Sequence, residues 1–257
     1  MTSVLVTGSA DGIGRETART LIRMGHRVVV DARSAARAAD VRTAIPDAAA
    51  VVVGELTSLA ETRDLAAAAG RHGPYDAIIH NAGVGGGVLR RELSADGLEC
   101  IFQVNVLAPY VLTALMERPA RLVYLTSGLE ANGVVDPGDL QHERGPWDGM
   151  QAYSDSKLCD VLLAFAVARR WPEVRSNAVD PGWIRTRMGG PGATDSLPLG
   201  AETQVWLASS DDPEAAVSGR YFKRRRQLRA NPAAYDEAFQ EALLARCAAL
   251  TGVTLSP

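Results

Sequence analysis

The chain has 257 residues, 47% of them hydrophobic, and carries 27 basic against 30 acidic side chains for a formal net charge of −3. That length suits one α/β domain with ample core, and the charge balance gives no electrostatic basis for nucleic acid or an anionic membrane as main partner. Cys100, Cys159 and Cys247 are widely spaced and odd in number, and His26, His72, His80 and His142 lack paired ligand spacing, so neither a disulfide framework nor a metal centre is expected. The N-terminus enters Val4-Leu5-Val6 without a basic n-region, and no apolar run approaches a membrane span; a soluble, cytoplasmic protein is expected.

Short β-branched runs alternate with stretches of helical period along the whole chain, the pattern of βαβ units and a mainly parallel sheet. The first predicted strand, 3–7, runs into Thr7-Gly8-Ser9-Ala10-Asp11-Gly12-Ile13-Gly14, and Ile13, Thr17, Leu21 and Met24 then mark one helical stripe. A strand, a glycine turn and a helix N-terminus together cradle a dinucleotide pyrophosphate, because glycine lets the backbone approach the phosphates and reverse with positive φ. A second strand, 27–31, ends at Asp31, the distance from the glycines at which an acid would bond a ribose 2′-hydroxyl and select NAD. Strands at 50–54, followed by Glu55 and Leu56, and at 76–80, followed by Asn81-Ala82-Gly83, come next.

Leu98, Ile101, Asn105 and Ala108 form a stripe on which a buried amide would need partners. A strand at 121–126 delivers the Ser127 hydroxyl at its C-terminal tip, and Tyr153 and Lys157 then share one face of a helix that continues through Leu158, Val161, Leu162 and Phe165. Strand 175–179 precedes Pro181-Gly182, and a last strand, 219–222, precedes Lys223-Arg224-Arg225-Arg226, read as a solvated turn or a contact for an anionic ligand or partner chain. The segments 128–151 and 186–200 read as loops at strand C-termini, where open α/β sheets bind ligands, the second as a substrate lid. No repeat or linker divides residues 1–257, so one doubly wound domain is expected.

Each motif has a bland reading by itself: an ordinary helical Tyr-Lys pair, a plain strand-to-helix turn, a satisfied core amide, a strand-end serine. Together and in this order they are specific. The chain resembles the short-chain dehydrogenase/reductases, a family of Rossmann-like oxidoreductases, through Thr7-Gly8-x-x-x-Gly12-Ile13-Gly14, Asn81-Ala82-Gly83, Asn105, Ser127, Tyr153-x-x-x-Lys157 and Pro181-Gly182 with Thr186. Tyr153-Ser154-x-Ser156-Lys157-Leu158 and Gly219-Arg220-Tyr221-Phe222 are similar to the retinol-dehydrogenase and protochlorophyllide-reductase branch. The motif usually has Asn where this chain has His80, and a short Asp where it has Glu55.

The resemblance implies a catalytic set of Asn105, Ser127, Tyr153 and Lys157, and a cofactor site of Gly8, Ser9, Asp11, Gly12, Ile13, Gly14, Arg33, Glu55, Leu56, Asn81, Ala82, Gly83, Tyr153, Lys157, Pro181, Gly182 and Thr186. It also places Ala32 at the diol-reading position. Period two turns Asp31 to the other strand face, leaving Arg33 to favour the 2′-phosphate of NADP over NAD, while the charge of Asp11 opposes that preference. Tyr153 would act as general acid or base on a carbonyl or secondary alcohol, its pKa of about 10 lowered by Lys157. Asn105 would open its helix locally and anchor a water leading to Lys157. Trp147, Met150, Trp183, Met188 and Leu197 would either line the substrate end, for a small apolar or aromatic carbonyl or alcohol, or anchor their loops on the surface. The Leu162-Leu163-Ala164-Phe165 run would let a homodimer or homotetramer form through the Tyr153 helix, unless it is buried on the sheet or the insertion after Ser127 blocks the contact. The alternatives are a non-catalytic NAD(P)-sensing module and nucleotide-sugar epimerase or dehydratase chemistry.

Overall fold

The computed structural model describes residues 1–85 and 87–256. The alternating runs build one eight-stranded sheet in the order β3-β2-β1-β4-β5-β6-β7-β8. Its strands are β1 (Ser3–Val6), β2 (Arg27–Ala32), β3 (Ala50–Val53), β4 (Ala77–His80), β5 (Arg121–Leu125), β6 (Arg175–Val179), β7 (Arg220–Lys223) and β8 (Arg226–Leu228). All pairings through β7 are parallel, and β8 returns antiparallel. Order reverses between β1 and β4, so a crevice opens above their C-terminal ends.

Helices α1 (Gly12–Arg23), α2 (Ala35–Ala44) and α7 (Leu197–Ser209) supply one layer, in which Leu21, Val41 and Trp206 pack with Val4, Val6, Val30 and Ile79. On the other face, α3 (Leu59–Gly70), α5 (Ala108–Leu115), α6 (Gly149–Arg170) and α8 (Glu237–Thr251) bury Leu65, Leu112, Leu162 and Leu244 with Leu5, Ile78 and Leu122. Two apolar layers on a parallel sheet account for strands that are apolar on both faces. Leu162, Leu163, Ala164 and Phe165 are all buried within the chain, with α8 packed on α6. A homodimer or homotetramer would therefore need a surface other than the one their apolar run suggested.

Several local expectations are corrected. The stripe through Met24 stops early, because α1 ends at Arg23 and Met24 is an exposed C-cap. The 128–151 segment contains a 3-10 turn at Gly128–Asn132, and residues 197–200 of the expected lid form the first turn of α7. The basic run is the exposed turn expected after a strand: Arg224 and Arg225, with φ of 51° and 57°, form the two-residue connection between β7 and β8. That connection swings over the strand ends, where Lys223 meets Asp180 at 2.7 Å, Arg224 meets Asp195 at 3.1 Å and Arg225 meets Glu202 at 3.0 Å. No helix among the described residues is long and apolar enough to cross a membrane.

Candidate active site

The glycine turn is held by its neighbours as closely as the sequence requires. Gly8 has φ of 65°, and a Cβ there would stand 2.7 Å from the Ala82 Cα; a Cβ on Gly14 would stand 2.3 Å from both the Gly8 carbonyl oxygen and the Asn81 amide nitrogen. Asn81 donates from Nδ2 to the carbonyls of Thr7 and Gly8 at 2.8 and 3.1 Å, and the Thr7 hydroxyl accepts from the N–H groups of Asn81 and Ala82. Asn81 thus ties the tips of β1 and β4 together. Asp11 caps α1 by accepting from the Gly12 N–H at 2.8 Å, whereas among the described residues no acceptor takes the N–H of Ile13 or Gly14. Two free donors at a helix N-terminus, beside a turn that excludes side chains, fit a dinucleotide pyrophosphate.

The negative charge of Asp11 is not left to oppose a phosphate alone, since Arg187 lies 3.4 Å and Arg15 3.6 Å from its carboxylate. Ser9 has a different place from the one expected: its N–H and hydroxyl are both engaged by buried Asp31, so it fastens the turn to β2 rather than facing the crevice. Burial pushes the Asp31 carboxyl up. Ala32 is buried at the end of β2, and exposed Arg33 follows with no ion pair among the described residues. Glu55 is half-buried and accepts from the Thr57 N–H at 3.3 Å, and the Leu56 side chain belongs to the core, which leaves its backbone as the part that could reach a ligand.

Asn105 sits in a π-helical turn, Gln103–Leu107, between the short α4 (Cys100–Phe102) and α5, so the helix is opened where the amide lies. Its side chain clamps Val84 from both sides, accepting the Val84 N–H at 2.8 Å and donating to the Val84 carbonyl at 2.9 Å, and donates also to Ser156 Oγ. The clamp sets Gly85, at φ of 123°, directly on the Tyr153 ring: a Cβ there would lie 2.4 Å from Tyr153 Cδ2. Gly85 is a residue that motif reading missed.

Tyr153 is half-buried on α6, with Lys157 one turn later and its Nζ 5.7 Å from the ring centroid. Lys157 is buried and donates to the Leu125 carbonyl at 3.0 Å and to Asp160 at 2.7 Å. Its Nζ faces Gly83, 3.5 Å from where a Cβ would stand, which opens the ammonium toward the crevice. Ser127 caps the 3-10 turn by accepting from the Leu129 N–H at 3.2 Å, and no hydrogen bond joins it to Tyr153. The sequence pattern brings Tyr153, Lys157 and Asn105 together, but Asp160 was not anticipated.

The far wall is built by Asp180-Pro181-Gly182. Asp180 is buried, accepts from the Gly182 N–H at 2.8 Å and pairs with Lys223, the second of the two lysines in the chain. A bridge between Ile184 and Asp195 closes the expected lid, and Thr186 lies against the glycine turn, its methyl 3.3 Å from where a Gly12 Cβ would stand. Across the crevice, then, a glycine turn with free N–H donors faces a phenol and an ammonium.

A family model for short chain dehydrogenases matches residues 2–196. The chain belongs to the short-chain dehydrogenase family. Short-chain dehydrogenase chyC of Penicillium rubens is 42% identical over 259 residues, covering 99% of each chain, and mouse retinol dehydrogenase 14 is 33% identical over 275 residues, covering 91% of this chain and 81% of the relative. A crystal structure of an uncharacterized Mycobacterium paratuberculosis protein superposes with a TM-score of 0.86 at 26% identity, covering 100% of this chain and 96% of that one. This short-chain dehydrogenase is accordingly an NAD(P)-dependent oxidoreductase acting on CH–OH and C=O groups, within the retinol-dehydrogenase-like branch.

Proposed function

We propose that the enzyme reduces carbonyl compounds, or oxidises the corresponding alcohols, with Tyr153 exchanging the proton at the substrate oxygen and NADP preferred over NAD. The observation that carries this reading is the placement of Tyr153 and Lys157 on one face of α6, at a crevice whose opposite wall is the Gly8–Gly14 turn. When bound, the nicotinamide cofactor supplies or accepts the hydride. Gly8, Gly12, Ile13 and Gly14 would hold its pyrophosphate, Asn81, Ala82, Gly83, Glu55 and Leu56 would border the adenosine side, and Pro181, Gly182 and Thr186 the nicotinamide side. Arg33, exposed and unpaired among the described residues, suits a 2′-phosphate. Lys157 sets its ammonium 5.7 Å from the centre of the Tyr153 ring, and Asn105 seats Tyr153 through Val84 and Gly85. The Ser127 hydroxyl would turn from its cap toward the substrate oxygen.

Leu89, Met150, Trp183 and Met188 are exposed on the segment after β4, at the start of α6 and on the loop after β6, which suits an apolar or aromatic substrate. The test is NADPH and NADH oxidation with a panel of aromatic aldehydes and ketones. Turnover should be faster with NADPH, and Tyr153→Phe should lose at least about a hundredfold in kcat while binding NADPH as before. Retained turnover in that variant would defeat the assignment, and tight binding with no turnover in the wild type would favour a sensing module.

A further inference from the structure

Lys157 is one of two lysines in a chain whose 27 basic side chains are otherwise all arginine, and it lies where water does not reach. An ammonium has three N–H donors and needs an opposite charge when buried. Leu125 takes one donor at 3.0 Å and Asp160 Oδ2 takes a second at 2.7 Å, leaving one for the crevice beside Gly83. Asp160 stands one helical turn beyond Lys157, away from Tyr153, and both side chains of the pair are at most 6% exposed.

We infer that Asp160 is a positioning residue of this active site: its carboxylate fixes the Lys157 ammonium between itself and Leu125, keeps it protonated in a dry environment and thereby points the remaining donor at the reacting groups. The functional part of this inference rests on the proposed roles of Tyr153 and Lys157. Burial works against the Lys157 charge, but Asp160 and Tyr153 beside it leave its pKa above the ordinary lysine value. Burial likewise pushes the Asp160 carboxyl up, to about 6, against the pull of Lys157. The other titratable groups around the pair are Tyr153 and Cys159 on α6, Tyr124 from β5 and, behind Cys159, Cys247 from α8. Burial pushes Tyr124, Cys159 and Cys247 up, so they stay neutral and Asp160 supplies the countercharge.

The chain can report this directly, because lysine labelled with ¹⁵N gives two side-chain resonances. In Asp160→Asn, which keeps an oxygen acceptor but removes the charge, Lys157 should lose its proton about two pH units lower than in the wild type, with Lys223 unmoved. The alkaline limb of the NADPH-dependent rate profile should move down with it, and Asp160→Glu should restore both in part. An unchanged Lys157 titration in Asp160→Asn would overturn the inference. Should that variant not fold, the wild type decides: its Lys157 should keep its proton at least as far up in pH as an ordinary lysine, and a Lys157 that loses it well below the ordinary lysine range would equally overturn the inference. Neither titration uses turnover, so a failure here is separate from survival of activity in Tyr153→Phe.

Discussion

The two sides of the crevice are made of different materials. On the nucleotide side, β1, β2 and β4 present backbone: Gly8, Gly12 and Gly14 without side chains, free N–H groups on α1, and Asn81 and Ser9 fastening strand tips. On the catalytic side, β5, β6, β7 and α6 present charge in pairs, buried Lys157 with buried Asp160 and half-exposed Lys223 with buried Asp180. A diphosphate is recognised wherever donors and space converge, so close backbone approach suffices on the first side. A proton is moved only where charges are held in fixed places, and that takes side chains compensated by other side chains.

If this contrast is right, the nucleotide side should fail most abruptly to added volume. In Gly14→Ala the new methyl meets the Gly8 carbonyl and the Asn81 amide at 2.3 Å, and neither can retreat without opening the β1–β4 tie. A loss of about 2–4 kcal/mol in urea unfolding and of most NADPH binding is expected; wild-type binding in this variant would mean that the turn is less constrained than its geometry states. Gly85→Ala tests the other side. Its methyl would displace the Tyr153 ring, so kcat should drop by about tenfold to a hundredfold, with NADPH binding changed little. Loss of binding instead of turnover would erase the division between the two sides.

The smallest effect is expected between them, at His80, a buried titratable group without a countercharge. Its Nε2 is hydrogen-bonded to Thr113 at 3.0 Å, its Nδ1 has no partner, and burial pushes its pKa down to about 3. An unfolded histidine takes up its proton near 6.5, so from about pH 6.5 toward 3 the unfolded chain binds the extra proton and stability falls with pH, by up to about 1.4 kcal/mol per pH unit from this group. His80→Asn should flatten the decline between pH 7 and 5 by part of that slope in urea titrations. An identical slope in wild type and variant would show that His80 is not the source.

The contrast also explains what could be read from sequence. Gly8, Gly12, Gly14 and Asn81 were legible because local backbone geometry demands those residue types, and Tyr153 and Lys157 because helical spacing alone puts them on one face. Asp160 was not, since a carboxylate three residues after a lysine resembles any exposed helical pair until packing against the sheet, where Tyr124 lies beside it, buries it. Lys223 ends β7 and Asp180 follows β6, two strands that are neighbours in the sheet but distant in sequence, so no local pattern links the pair. Strand β8 has three exposed residues and no apolar alternation, so it carried no strand signal. Asp31 was legible as an acid at the end of the second strand, but its bond to Ser9 required the folded turn.

That last strand has a bearing on how copies of the enzyme coexist at high concentration. A parallel sheet that stopped at β7 would present a row of unpaired N–H and C=O groups beside apolar Tyr221 and Phe222, a template on which another chain could stack. The added strand is short, begins with Arg226 and is followed by Arg229, so two molecules approaching edge to edge would bring like charges together before any ladder could form. The basic residues at this margin thus have two uses, Arg224 and Arg225 fastening the loops above the sheet and Arg226 and Arg229 guarding its edge.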